Sequence, residues 1–151
     1  MKKLALLLFT TLLFTGCGSK EELALKCTYS KEMKTLGYKT DAEYEVYAKD
    51  GYVTRVNSNE YVESNNEKIL TTFEQTLSLT YLNQNNKYGG YTNKVSIDGN
   101  KLTSITNIDY SKVDLNQLAK DNSLISGYVK NGKLQVEGVK KIYEALGATC
   151  K

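Results

Sequence analysis

The sequence predicts an α+β domain, an antiparallel β-sheet with helices packed on one face, and three observations carry that prediction. Apolar and polar residues alternate in several stretches, Asp-Gly turns separate the paired ones, and two longer stretches carry apolar residues at helical spacing. The 151 residues, 40% hydrophobic and 25% charged, suffice for one packed domain and are too few for two ordinary ones. There is no His, which removes Ser-His-Asp and Cys-His catalysis and imidazole metal ligation. A formal charge of +3, well mixed along the chain, gives no case for nucleic acid.

Residues 1–16 read as a secretory signal. Met1-Lys2-Lys3 is a basic start, Leu4 to Leu13 is apolar apart from Thr10 and Thr11, and Gly16 precedes Cys17. The apolar run is shorter than the about 20 residues that a bilayer span requires. Leu13-Phe14-Thr15-Gly16-Cys17 resembles a bacterial lipobox, with Phe14 where Leu is usual and Thr15 where Ala or Ser is usual. That resemblance implies a lipid-bearing Cys17, and two acyl chains at about 0.8 kcal/mol per buried CH₂ hold a protein on a membrane without a span. The alternative is an ordinary signal peptide that contains a Cys. Loss of Lys2 and Lys3 would leave the mature chain nearly neutral. Residues 17–24 read as a lipid-anchored tether, reaching about 25 Å beyond the anchor at most, and residues 25–151 as a single α+β domain. The expected place is the extracytoplasmic face of the cell membrane. With Cys17 lipidated, Cys27 and Cys150 remain as a pair, which outside the cytosol reads as a disulfide; two buried free thiols are the alternative.

The elements follow in order. Leu25, Cys27 and Tyr29 alternate with polar neighbours as in a half-buried strand, and Glu32 to Thr40 reads as a connection. Tyr44, Val46 and Ala48 alternate likewise, Asp50-Gly51 turns, and Tyr52 to Glu63 returns as a hairpin. Ser64 and Glu67 fit a capping box, and Ile69, Leu70, Phe73, Leu77, Thr80 and Tyr81 share one helical face, ending before Gly89-Gly90. Tyr91 to Ile97, the Asp98-Gly99 turn and Leu102 to Tyr110 make a second hairpin, with Asp114 capping a short helix over Leu115 to Lys120. The two halves read as two ββα repeats sharing one sheet, chance similarity being the alternative. Asn122 to Gly132 reads as loop, the alternative being a minor hairpin between Tyr128-Val129 and Leu134 about an Asn131-Gly132 turn. Val136, Val139, Ile142, Tyr143 and Leu146 form a last apolar stripe, stopped by Gly147.

Ile108-Asp109-Tyr110-Ser111-Lys112-Val113-Asp114, followed by Leu115 and Leu118, resembles the YehR-like bacterial lipoproteins, a family with a domain of unknown function. The resemblance continues through Gly138-Val139-Lys140-Lys141, Ile142, Leu146 and Gly147. It implies a small lipid-anchored α+β domain and brings no agreed substrate or catalytic residue. The Cys27–Cys150 pair is no part of that motif.

Chemistry is sparse. Acids fall in local pairs, Glu43 with Glu45, Glu60 with Glu63, and Asp109 with Asp114. Such pairs could act as acid and base in a cleft; the plainer reading is a charged, solvated sheet face. Asp98-Gly99-Asn100 lacks the other ligands of a calcium loop, Gly89-Gly90 lacks phosphate-loop spacing, and no SxxK context activates a Ser. No metal or cofactor is expected. Tyr stands out, with 12 against three Phe. Some must face water as an apolar body with a polar tip, though Tyr also simply suits strands. Tyr47 and Tyr52 beside Asp50-Gly51, and Tyr88 and Tyr91 beside Gly89-Gly90, are the expected exposed binding positions. The leading expectation is a non-catalytic, membrane-anchored binding or accessory domain whose partner is an envelope protein or a glycan. A cell-envelope hydrolase using the acidic pairs is the alternative, and a transporter's substrate-binding subunit is a third, disfavoured by size unless a metabolite-sized pocket is present.

Overall fold

A computed structural model describes residues 20–151. The expected signal peptide and the lipidation position Cys17 lie outside the described residues. In chain order the elements are β1 (Glu22–Met33), β2 (Tyr38–Lys49), β3 (Tyr52–Glu63), α1 (Glu67–Tyr88), β4 (Tyr91–Asp98), β5 (Lys101–Asp109), α2 (Leu115–Asp121), β6 (Val129–Lys130), β7 (Lys133–Leu134), α3 (Val136–Ala145) and β8 (Thr149–Cys150). Six strands form one antiparallel sheet in the order β4-β5-β3-β2-β1-β8, and β6 and β7 form a separate small hairpin. The expected α+β class is the one observed. No helix among the described residues is long and apolar enough to cross a membrane.

Cross-strand register explains where the core lies. Because side chains alternate in direction along a strand, paired residues share a face. One row on the inner face runs Tyr91–Ile108–Val56–Val46–Leu25. Val46 and Val56 are fully buried there, each contributing roughly 1.5–3 kcal/mol, and α2 and α3 complete the cluster with Leu118, Val139 and Tyr143. Three rows along, Ile97–Leu102–Val62 meets Leu70, Phe73 and Leu77 of α1 as a second, smaller apolar cluster. Between these two rows the inner face is polar. It carries Asn93–Thr106–Ser58–Tyr44 in one row and Ser104–Glu60 in the next.

α1 lies over β4 and β5, whereas α3 lies over β1, β2 and β8. α1 also reaches β3, so the two helices meet the inner face from either side of its centre and a gap remains between them. The opposite face of the sheet is polar, with rows such as Lys26–Glu45–Asn57–Asn107. Cys27 and Cys150 sit directly opposite each other on β1 and β8 and are joined as a disulfide. The flanking Lys26 and Lys151 exchange both backbone hydrogen bonds. The bridge thus fastens the last two-residue strand to the sheet.

Local chemistry corrects several expectations. The segment read as a tether is partly strand: β1 begins at Glu22, and Glu21 already accepts hydrogen bonds from Thr54 and Arg55. The connection over Glu32 to Thr40 is shorter than expected, a single 3₁₀ turn over Lys34–Leu36 closed by Gly37. Asn66, not Ser64, caps α1 by accepting from the Lys68 amide. Ser64 Oγ accepts from the Asn66 amide and donates to the Gly37 carbonyl, tying the two loops together. The stretch read as loop contains the β6–β7 hairpin, whose Asn131 and Gly132 both take positive φ, the backbone that a tight two-residue hairpin requires. Each main hairpin is followed by a helix as the repeat predicts, but α1 has 22 residues and α2 seven. A bulge at Thr54 shifts the β2–β3 register, which is why Val53 and Val56 both face inward despite their odd spacing.

The segment Ile108 to Asp114 forms a corner of the fold. Asp109 accepts from the Ser111 amide and hydroxyl, the Tyr110 amide bonds the Thr54 carbonyl, and Asp114 caps α2. The Ser111 and Lys112 hydrogen bonds lower the Asp109 pKa to about 2. Gly90 meets this corner so closely that a Cβ would lie 2.6 Å from the Asp109 carbonyl oxygen, and its φ is +79°. Only glycine fits both constraints.

Candidate functional site

Glu60 occupies an inward-facing position of β3, in phase with Val56, Ser58 and Val62. An acid at an apolar phase of a central strand is costly unless its charge is supported. Here Tyr81 of α1 donates its hydroxyl to the carboxylate, at 3.0 Å from Oε1 and 2.9 Å from Oε2. Ser104 adds a longer bond of 3.4 Å. Asn93 then donates to Ser104 and Thr106, at 2.9 and 2.8 Å, so the polar band across β3, β5 and β4 is one connected network. No cation lies within ion-pair distance of Glu60 among the described residues, whose ion pairs all involve other acids. Burial pushes the Glu60 carboxyl above its ordinary value, against the opposing pull of hydrogen bonds from Tyr81, Ser104 and Tyr44.

The gap between α1 and α3 opens above this carboxylate. A cavity of about 550 Å³ there is lined by both helices and the sheet, and Tyr44, Tyr81, Tyr88, Tyr91, Tyr110 and Tyr143 all contribute. A second cavity of about 320 Å³ shares Tyr44, Glu60 and Leu77 with it and also takes in Lys31. The two are halves of one groove with Glu60 on its floor. Tyr44 stacks on Tyr143 of α3, ring centroids 4.1 Å apart at 19°, which makes one wall a flat aromatic surface. Burial raises the pKa of Tyr44, Tyr81, Tyr110 and Tyr143, and pushes Tyr91 up to about 12, so these phenols stay neutral hydrogen-bonding groups. Asp121, the other acid of the larger cavity, is held at about 2 by hydrogen bonds from Lys87, Gln117 and Tyr88. Lys87 lies 2.8 Å from it. Leu146, expected in the core stripe, instead lines the cavity and is 63% exposed.

The sequence-predicted tyrosines do not form one surface. Tyr88 and Tyr91 line the groove, but Tyr88 is buried, contrary to its expected exposure, because it closes the end of α1 against α2 and hydrogen-bonds Asp121. Tyr47 lies on the opposite sheet face beneath the Arg55 guanidinium, 3.5 Å from its ring centroid. Tyr52 sits beside the β6–β7 hairpin with the Lys133 ammonium 5.6 Å from its ring. Each acidic pair also comes apart chemically. Glu43 and Glu45 share Lys26 at 3.8 and 3.9 Å on the open sheet face, away from either half of the groove. Glu60 and Glu63 point to opposite faces, and Asp109 is spent on its corner while Asp114 caps a helix. A larger cleft, about 830 Å³ around Tyr52, Arg55 and Asp109, has Arg55 matched to Glu21 and Asp109 to Lys112. Among the described residues no three His, Cys, Asp or Glu side chains gather as a metal site.

Among solved structures, one supports the fold. The NMR structure of E. coli YehR matches with a TM-score of 0.54 over 88% of this chain and 92% of that one, at 18% identity. An NMR structure of a protein from Streptococcus pneumoniae TIGR4 covers all of this chain and 98% of its own, at 15% identity and a TM-score of 0.48. No protein-family model and no curated protein sequence matches the chain. The fold is YehR-like. At this identity the likeness is one of backbone architecture, and the groove must be argued from the side chains of this chain alone.

Glu60 and its network carried no separate signal in the local pairing of acids, yet one was present. In β3 the acid keeps the parity of Val56 and Val62, and in α1 Tyr81 lies on the apolar face four residues after Leu77. Each position places a polar group where the pattern calls for core.

Proposed function

We propose that the chain is a non-catalytic binding domain held by a lipid on Cys17 at the extracytoplasmic face of the membrane, a member of the YehR-like lipoproteins in function as well as fold. The observation that carries the binding reading is the groove between α1 and α3. Its larger half, about 550 Å³, falls within the size range of small-molecule sites and combines apolar walls with a few converging polar groups. A bound metabolite or a projecting group of an envelope partner fits such a space; a flat protein interface does not need it. The groove's acid is engaged by hydroxyl donors rather than by a base and a nucleophile, which favours holding a ligand over transforming one. The hydrolase reading loses its basis with the separation of its acidic pairs.

The lipid anchor rests on the basic start, the short apolar run and the Cys17 context, and on the bonded Cys27–Cys150 pair, which suits an oxidising compartment. Membrane fractionation of cells making the wild-type chain and Cys17→Ser tests it. The wild type is expected in the membrane pellet, extractable only by detergent, and Cys17→Ser in the soluble fraction. Membrane retention of Cys17→Ser would contradict the anchor.

A further inference from the structure

We propose that the groove binds an organic cation, an ammonium group carried on an apolar body, with Glu60 as its counter-charge and the tyrosine rings as its walls. This rests on the binding-domain reading and names the class of ligand.

The electrostatics point one way. Glu60 is the acid of the larger cavity that no described cation neutralises, since Asp121 is already matched by Lys87. No Lys or Arg lines that cavity; Lys31 lines the smaller half of the groove and forms no ion pair with Glu60. An anion would meet an uncompensated carboxylate there, and a neutral ligand would take water away from that charge without replacing it. A cation relieves both problems. The carboxylate also has capacity to spare: Tyr81, Ser104 and Tyr44 are its donors, while an ionised carboxylate offers about four lone-pair sites.

The walls reinforce the charge. Aromatic faces carry negative quadrupole density and attract cations placed over them, more strongly when water is excluded. Six tyrosines line this cavity, and the Tyr44–Tyr143 stack is fixed in place by packing. Ile142 of α3, Leu146 just beyond its end and Leu77 of α1 give the remainder of the wall an apolar surface, which suits a hydrocarbon body and not a bare hydrated ion. A hard divalent cation is a poor fit, because it takes six or more oxygen ligands, usually with several carboxylates, and no group of three potential acidic or thiol ligands gathers among the described residues.

The domain comprising residues 20–151 contains both core clusters and the complete groove, so it is the form to test. Three probes of one shape separate the possibilities: benzylammonium, benzyl alcohol and benzoate, titrated while the ring and amide resonances are followed by NMR. Benzylammonium is expected to bind saturably and to shift Tyr44, Tyr81 and Tyr143, with the other two probes much weaker. Glu60→Gln, which keeps the shape and removes the charge, is expected to weaken benzylammonium binding by about 10-fold or more while its amide spectrum stays dispersed. Tyr81→Phe, which keeps the ring and removes the donor, is expected to weaken it less. Equal shifts from benzyl alcohol, or unchanged benzylammonium binding in Glu60→Gln, would overturn the cation and leave the groove as a binding site. Shifts confined to Tyr47 on the opposite sheet face, or no shift with any probe, would overturn the groove reading as well.

Discussion

Glu60 and the Glu43–Glu45 pair lie on neighbouring strands of one sheet, yet their surroundings are opposite. Glu43 and Glu45 face outward beside Lys26, their side chains 52% and 36% exposed. Glu60 faces inward, between two helices, with tyrosine and serine hydroxyls where a cation would be expected. Strand parity alone separates these fates. An outward acid is screened by water and contributes little either way, while an inward one must be held by a built network and stays available to a ligand that brings the opposite charge.

The largest expected effects fall on the inner face. The Cys27→Ser, Cys150→Ser double variant opens a bridge between residues 123 positions apart, and chemical denaturation should show a loss of about 2–5 kcal/mol. Val56→Ala in the apolar row should likewise cost about 1–3 kcal/mol, whereas Ile105→Ala on the outer face, 53% exposed, should stay within about 0.5 kcal/mol. Comparable losses on the two faces would break the contrast.

A smaller effect with the opposite sign sharpens it. At neutral pH Glu60→Gln removes a charge that burial disfavours, and its unfolding is expected to show a gain of about 0.5–2 kcal/mol, the range for relieving a functional position. Glu43→Gln should change stability by less than about 0.5 kcal/mol. The pH dependence follows from the same residue. The folded state holds the Glu60 proton more tightly than the unfolded chain, whose carboxyl has the ordinary value of 4.5. Its contribution is therefore full below that value and is lost as pH rises through the folded-state pKa. Asp109 works the other way: its pKa of about 2 against an ordinary 3.8 makes its contribution present above 3.8 and lost as pH falls through about 2. Denaturation midpoints of Glu60→Gln and Asp109→Asn across acidic pH should each lose one of these slopes. The smallest effect is expected at Lys26→Ala, within about 0.5 kcal/mol, because both its partners are solvated.

Most of the sheet was legible in residue alternation and in Asp50-Gly51, and the long helix was legible in its repeated apolar face. The phase of β3 was harder to read, since the bulge at Thr54 adds a residue between Val53 and Val56. Tyr52 to Glu63 consequently shows no single period, and Glu60 reads locally as a neighbour of Glu63 rather than as a residue across from Ser104. The groove is assembled by register and by helix placement, with Tyr81, Asn93 and Tyr143 arriving from three other elements. No local pattern joins those positions. Tyr88 departs from its expected exposure for a related reason: a Gly-Gly stop beside it signals a turn, but here the turn is pressed against the Asp109 corner and Tyr88 is buried.

The most direct measurement is an NMR titration of the Glu60 side-chain carboxyl carbon in the folded domain, repeated with saturating benzylammonium. The expected result is a midpoint above the ordinary carboxylate range in the free protein that moves down when the cation binds. A midpoint at or below that range, unmoved by the cation, would contradict a buried acid waiting for a positive ligand.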